Sequence, residues 1–265
     1  MLKDITLGQY FPGDTVVHRL DPRTKLLLVI VYIVGLFNST GWYSYGFVIL
    51  ITALCMALSH IKPKSALKGL KPLIIIIILT ALLNIFYTDG TPIIEGWIIT
   101  WEGLAKAAMM SLRIILLIVG TFMLTYTTSP IALTDGLEIM LNPLKKIKVP
   151  VHEMAMMMSM ALRFIPTLIE ETDKIMSAQK ARGADFETGS LTQRAKALLP
   201  ILVPLFVSAF RRADELAVAM ESRCYHGGSG RTRMKQLRMQ GIDMAALLLG
   251  VLFLAAIFVM KKFGL

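Results

Sequence analysis

MAALLLGVLFLAAIFVM, residues 244–260, contains no charged side chain. A bilayer core about 30 Å thick needs roughly 20 mostly apolar helical residues, with about 17 as the lower limit. This stretch reaches that limit and reads as a membrane span. Four more stretches approach or meet it. Residues 24–40 and 45–59, parted by Gly41 and polar aromatics, are together too long for one crossing and read as two short spans. Residues 70–87 hold the apolar run 73–79, and residues 103–126 are interrupted only by Lys106 and Arg113. The expected fold is all-α, a polytopic membrane protein with about five transmembrane helices.

Composition agrees. Of 265 residues, 55% are hydrophobic and 17% charged, below the roughly 25% charged of an ordinary soluble domain, and the mean hydropathy is +0.64. The formal charge of +10 suits the inner membrane face and its anionic headgroups. No RNA-binding or helix-turn-helix signature points to nucleic acid. Cys55 and Cys224 cannot form a disulfide framework and lack metal-ligand spacing. Residues 1–20 mix Lys3, Asp4, Asp14, His18 and Arg19 with no apolar core, so no secretory signal peptide is expected.

The loops give an orientation, because positively charged loops stay inside. Lys3, Arg19, Arg23 and Lys25 precede the first span, and Lys62, Lys64, Lys68 and Lys71 separate the second from the third. The loop between the first two spans is uncharged, and residues 88–102 carry Asp89, Glu95 and Glu102 without a base. The N-terminus is therefore expected in the cytoplasm and the fourth span returns there. Lys261 and Lys262, at the outer end of the last span, go against the pattern. Three regions result: 1–126 with four spans, a cytoplasmic domain over 127–241, and a C-terminal span within 242–265.

That middle domain holds sixteen of the 28 Lys and Arg and eleven of the 18 Asp and Glu. Its apolar runs, residues 154–162 and 197–210, are closed off by Arg163 and by Arg211 and Arg212, and the second contains Pro200 and Pro204. Both are too short to span and read as parts of long amphipathic helices at the inner membrane face. Residues 185–192, with Gly189 and Ser190, read as the turn between them.

A weak repeat runs through the two helices. A shift of 41 positions sets Asp173 on Asp214, Ile175 on Leu216, Ala178 on Ala219 and Arg182 on Arg223. Each helix ends in a similar tripeptide, Ala181-Arg182-Gly183 and Ser222-Arg223-Cys224. Heptad-spaced lines lead to the arginines, Leu168–Ile175–Arg182 and Ala209–Leu216–Arg223, so each arginine ends an apolar stripe. An arginine in a last turn also offsets the helix dipole, and Gly183 is an ordinary left-handed cap. That account suffices for one tripeptide; two at equivalent helix ends point instead to a partner with two similar grooves, where a planar guanidinium meets carboxylates or carbonyls. Cys224 adopts positive φ less easily than Gly183, so the second helix is expected to end with a different geometry.

Methionine is the second signal. Met154, Met156, Met157, Met158 and Met160 crowd one helix, and Met109, Met110, Met220, Met234, Met239 and Met244 add to them. Core filling accounts for some; a soft, adaptable surface for several partners accounts for others. Arg113 sits within the fourth span, where it fits either a structural hydrogen bond or a functional contact, and Lys106 is placed to snorkel.

Catalytic signatures are missing. The stretch Gly227-Gly228-Ser229-Gly230-Arg231-Thr232 has Tyr225 and Arg231 where a P-loop needs Gly and Lys, and reads as a flexible basic loop. His152-Glu153 lacks the second histidine of a zinc helix. No catalytic or metal-ligating residue is assigned.

Several stretches together resemble one family, the T components of energy-coupling factor (ECF) transporters, also called the cobalt-transport Q-type permeases. They are Leu20-Asp21-Pro22-Arg23-Thr24-Lys25, Thr127-Thr128-Ser129-Pro130, Ala161-Leu162-Arg163-Phe164-Ile165-Pro166, Ala178-Gln179-Lys180-Ala181-Arg182-Gly183, Arg211-Arg212-Ala213-Asp214 and Ala219-Met220-Glu221-Ser222-Arg223-Cys224-Tyr225. The resemblance implies a coupling domain at 127–241 that links two cytoplasmic ABC ATPases to a substrate-binding membrane S component, for uptake of a vitamin or another micronutrient. ATP and Mg would be bound by the ATPases, with no cofactor in this chain. It implies ATPase docking through Ala181, Arg182, Gly183, Ser222, Arg223 and Cys224. An S-component contact is expected at Met154, Met156, Met157, Met160 and Phe164. The chain departs from the family pattern at Ser222 and Cys224, which replace Ala and Gly. The alternatives are the permease subunit of a conventional ABC importer, a membrane-embedded enzyme acting on lipids, and a bare scaffold. A conventional permease carries one short coupling helix, and a lipid enzyme needs a carboxylate or histidine cluster at the membrane face.

Overall fold

The computed structural model describes residues 10–91, 99–186, 188, 190–227 and 236–263, with backbone alone at 67, 68, 191 and 195. The glycine-rich basic loop lies outside the described residues from 228 to 235, as do the first nine residues.

Ten α-helices make up the described structure: α1 (Val16–Arg19), α2 (Pro22–Asn38), α3 (Trp42–Leu58), α4 (Pro63–Leu70), α5 (Ile74–Tyr87), α6 (Trp101–Thr127), α7 (Pro130–Leu141), α8 (Val151–Ala181), α9 (Leu191–Glu221) and α10 (Gly241–Lys262). Short 3-10 turns extend α4 and α7. The chain is an all-α polytopic membrane protein. The sequence-read spans fall on α2, α3, α5, α6 and α10. Helices α2 and α3 are only 17 residues each.

The described helices divide into two compact units, one within residues 10–136 and 237–263, the other within 137–227. In the first, α2, α3, α6 and α10 enclose a core of Leu36, Tyr45, Val48, Leu116, Phe253 and Ile257. Phe253 stacks on Tyr32 and Phe47, with ring centroids 6.3 and 5.9 Å apart. The Phe253 ring reaches α2 because residue 35 is glycine; a Cβ there would lie 2.5 Å from a ring carbon. Between α5 and α6 backbone approaches backbone, since a Cβ on Gly103 would come within 3.1 Å of the Ile85 carbonyl oxygen. Small residues let helix backbones close up where apolar burial gives no drive, as in a bilayer.

The outward faces carry Ile75, Ile76, Ile78, Leu79 and Leu82 on α5 and Leu248, Leu249, Val251 and Leu252 on α10, all exposed. In water such a surface would aggregate; lipid tails cover it at no such cost. Arg113 has partners on the neighbouring helices. It donates to the Ser39 carbonyl at 3.0 Å, and its guanidinium carbon lies 5.9 and 5.8 Å from the Phe37 and Tyr45 ring centres. Because Ser39 closes α2, the cation meets the negative end of that helix. Lys106 is exposed.

In the second unit, α8 and α9 are 31 residues each. Residues 197–210, read as an apolar run too short to span, lie within a much longer helix. Residues Thr192–Glu221 form one helix long and apolar enough to cross a membrane by length and composition. Arg211 and Arg212 end the apolar run but not the helix. Pro200 and Pro204 each delete one backbone bond, and the remaining ladder carries the helix through them.

Candidate coupling site

Side chains of α8 and α9 meet around Glu171 and Arg212. Glu171 of α8 accepts hydrogen bonds from Ser208 and Arg212 of α9, the latter an ion pair at 3.2 Å. The same guanidinium lies over Phe164 of α8, 5.7 Å from its ring centre. Glu171 and Arg212 are 41 positions apart, so the repeat register is also the contact register. From this pair each helix runs eleven residues to its arginine, Arg182 or Arg223, about 16 Å at 1.5 Å per residue. The two tips thus lie at equal distances along their helices from the Glu171–Arg212 pair.

The two helix ends match. Beyond Arg182, the Ala184 N–H donates to the Gln179 carbonyl at 3.0 Å and the Gly183 N–H to Lys180 at 3.0 Å. Beyond Arg223, the Tyr225 N–H donates to Met220 at 3.0 Å and the Cys224 N–H to Glu221 at 2.9 Å. Both are Schellman closures with a left-handed residue after the arginine, Gly183 at φ 90° and Cys224 at φ 56°. The expectation of a different second geometry is therefore corrected: Cys224 is held in the glycine conformation. Ala181, Arg182, Gly183, Ser222, Arg223 and Cys224 are all exposed. No ion pair holds Arg182 or Arg223 among the described residues. At the start of α9, Ser190 and Gln193 form a reciprocal capping box, which closes the connecting turn; Gly189 of that turn lies outside the described residues.

The methionine set separates by face. Met154 and Met157 are exposed, with Met158 beside them, whereas Met156, Met160 and Phe164 are half-buried at steps of four along the opposite side. Phe164 is engaged by Arg212. Sequence reasoning missed a larger apolar surface on α9, where Leu199, Leu202, Val203, Phe206, Val207 and Phe210 are all exposed. Its signal lay in the run 197–210 itself, read for its length alone. His152 is taken up by Glu138, at 3.0 Å. Among the described residues no cluster of three His, Cys, Asp or Glu is placed to hold a metal.

The model of the CbiQ family, described as cobalt transport protein, matches residues 13–235. The chain belongs to the CbiQ family. Among curated proteins it is 58% identical over 247 residues to the energy-coupling factor transporter transmembrane protein EcfT of Thermosediminibacter oceani, covering 92% of this chain and 93% of that one. It is 56% identical over 250 residues to the EcfT of Clostridium kluyveri, covering 93% of each, and 48% identical over 264 residues to that of Bacillus subtilis, covering 98% of this chain and 100% of the relative. The match extends through both arginine tips, and this CbiQ-family chain is a multi-pass membrane component of a transporter.

Proposed function

We propose that the chain is the coupling subunit of an energy-coupling factor importer. Two cytoplasmic ATPases, which bind ATP and Mg, engage Arg182 and Arg223, and the α8–α9 pair passes their movement to a membrane S component that carries a vitamin or another micronutrient. The chain hydrolyses nothing itself. The equal distances of the two arginines from one ion pair carry this reading, since two similar motors acting at equal distances from a shared contact deliver symmetric displacement. Exposed guanidiniums are suited to grooves lined by carboxylates or carbonyls.

In this reading α8 and α9 lie against the inner membrane face. Arg211, Arg212, Asp214 and Glu215 crowd the last third of α9, which leaves the fourteen residues 197–210 as its uncharged part. Those rise about 21 Å, short of a 30 Å hydrocarbon core. The apolar face of α9 and the exposed Met154, Met157 and Met158 then meet the S component and the bilayer surface.

The test is to co-purify tagged chain with ATPases and S component, comparing Arg182→Glu, Arg223→Glu and the double variant. Each single change is expected to release or uncouple one ATPase; full ATPase recovery with full transport in the double variant would overturn the reading. Cys224 reports the sidedness. With Cys55 replaced by alanine, a membrane-impermeant maleimide should label Cys224 only after cells are opened.

A further inference from the structure

We infer that the segment Asp21–Lys25 is a mechanical anchor that holds both ends of the chain's excursion into the coupling unit, so that displacement of α8 and α9 reaches the spans instead of being absorbed in the connections. The inference rests on the coupling role proposed above. The chain leaves the membrane unit after Gly136 and returns to it at Leu237. Both approaches are bonded to the first turn of α2. Leading out, the Lys25 ammonium donates to the carbonyl of Thr127, the last residue of α6, at 2.8 Å, and to the His18 carbonyl at 3.1 Å. At the exit itself, Gly136 lies so close that a Cβ would be 3.0 Å from the Pro22 side chain. On return, the Arg23 guanidinium donates to the Leu237 carbonyl at 3.1 Å.

A carboxylate holds the Arg23 guanidinium in place. Asp21 accepts from Arg23 through the backbone N–H, Nε and one terminal nitrogen at 2.9, 3.1 and 3.0 Å, which aims the guanidinium at Leu237. Asp243, at the start of α10, accepts from the Asp21 N–H at 2.8 Å and the Gln240 N–H at 2.7 Å. Asp21, Lys25 and Asp243 are 6%, 6% and 2% exposed. Burying three charges is expensive, and such groups stabilise less than apolar residues of the same volume would. Their return here is directional: one Arg fork and one ammonium reach backbone carbonyls that no apolar side chain could hold. Thr127 closes α6, so its carbonyl also presents the negative end of that helix to Lys25.

The experiment uses the full complex in vesicles, with ATP hydrolysis and substrate uptake measured on the same sample for Arg23→Gln, Lys25→Gln and Lys25→Arg. Both Gln variants should retain their ATPases and hydrolyse ATP, yet lose about fivefold in uptake per ATP hydrolysed, the low end of a site-to-site coupling. Lys25→Arg, which keeps a cation with several donors, should recover most of it. An unchanged ratio in both Gln variants overturns the anchor, and so does loss of the ATPases from them, which would make the segment a folding staple only. If the wild-type chain recovers no ATPase, the coupling role fails by itself. The anchor is then read by hydrogen exchange on the full chain alone, where Lys25→Gln and Arg23→Gln should raise exchange roughly tenfold at residues 130–136 and 238–243 respectively. Unchanged exchange at those segments overturns it.

Discussion

Glu171 and Arg212, paired at 3.2 Å across α8 and α9, occupy the same position in the two copies of the 41-residue repeat. A contact between equivalent positions is a point of local symmetry, and the equal distances to the two arginines follow from it.

Removing the acceptor should loosen that point. Both side chains are 27% exposed, so screening is incomplete. Glu171→Ala should destabilise the helix pair by about 1 kcal/mol through the lost ion pair and the stranded Ser208 and Arg212 donors. Thermal unfolding in detergent measures it. Exchanging the two charges should restore part of the loss, and a single variant as stable as the parent would show that the contact carries no energy.

The second cap makes an opposite pair of predictions. Cys224 stands at φ 56°, where an L-residue is disfavoured by roughly 1–2 kcal/mol, so Cys224→Gly should stabilise the end of α9 by about 1 kcal/mol. Gly183→Ala should destabilise the end of α8 by a similar amount. No atom lies within 4 Å of an added Cβ at Gly183, so the loss would be conformational and not steric. Amide exchange of the last turns of α8 and α9 distinguishes the two.

Arg113→Met should cost about 2 kcal/mol, because the Ser39 carbonyl loses a charged donor and the Phe37 and Tyr45 rings lose their cation. Arg113→Lys should recover little, since a compact ammonium cannot bond the carbonyl and reach both rings at once. Urea unfolding in mixed micelles gives both values.

The spans were readable because a long uncharged run has few other homes, and the repeat was readable because its register survives in single positions such as Asp173 and Asp214. Local signals failed where a distant residue decides the outcome. The Cys224 conformation is set by the closing bonds of Tyr225 and Cys224 to Met220 and Glu221, which override the preference of a lone cysteine. Likewise the methionine cluster reads as one surface until Arg212, 48 positions beyond Phe164, covers one of its faces. Asp21 shows the same thing from the other side: its resemblance motif is local, but its bond to Asp243 spans most of the chain.

The Asp21 side chain, through its contacts with Arg23, gives the fold an acid response. Burial pushes the Asp21 carboxyl up, but the hydrogen bonds and charge of Arg23, aided by Lys25, outweigh it and hold the group below its ordinary value of 3.8. The folded chain therefore keeps the carboxylate ionised where the unfolded chain would protonate it. The resulting stability is complete above the ordinary value and drains away as pH falls through the lower folded one. Near neutrality Asp21→Asn should be less stable than the parent by about 1–3 kcal/mol, the worth of hydrogen bonds to a charged acceptor. As the solution is acidified below about pH 4 the parent should lose that advantage and the two unfolding curves converge. A gap between them that stays constant from neutral to strongly acid pH would mean that Arg23 and Asp21 are held together by shape alone, with the carboxylate charge contributing nothing.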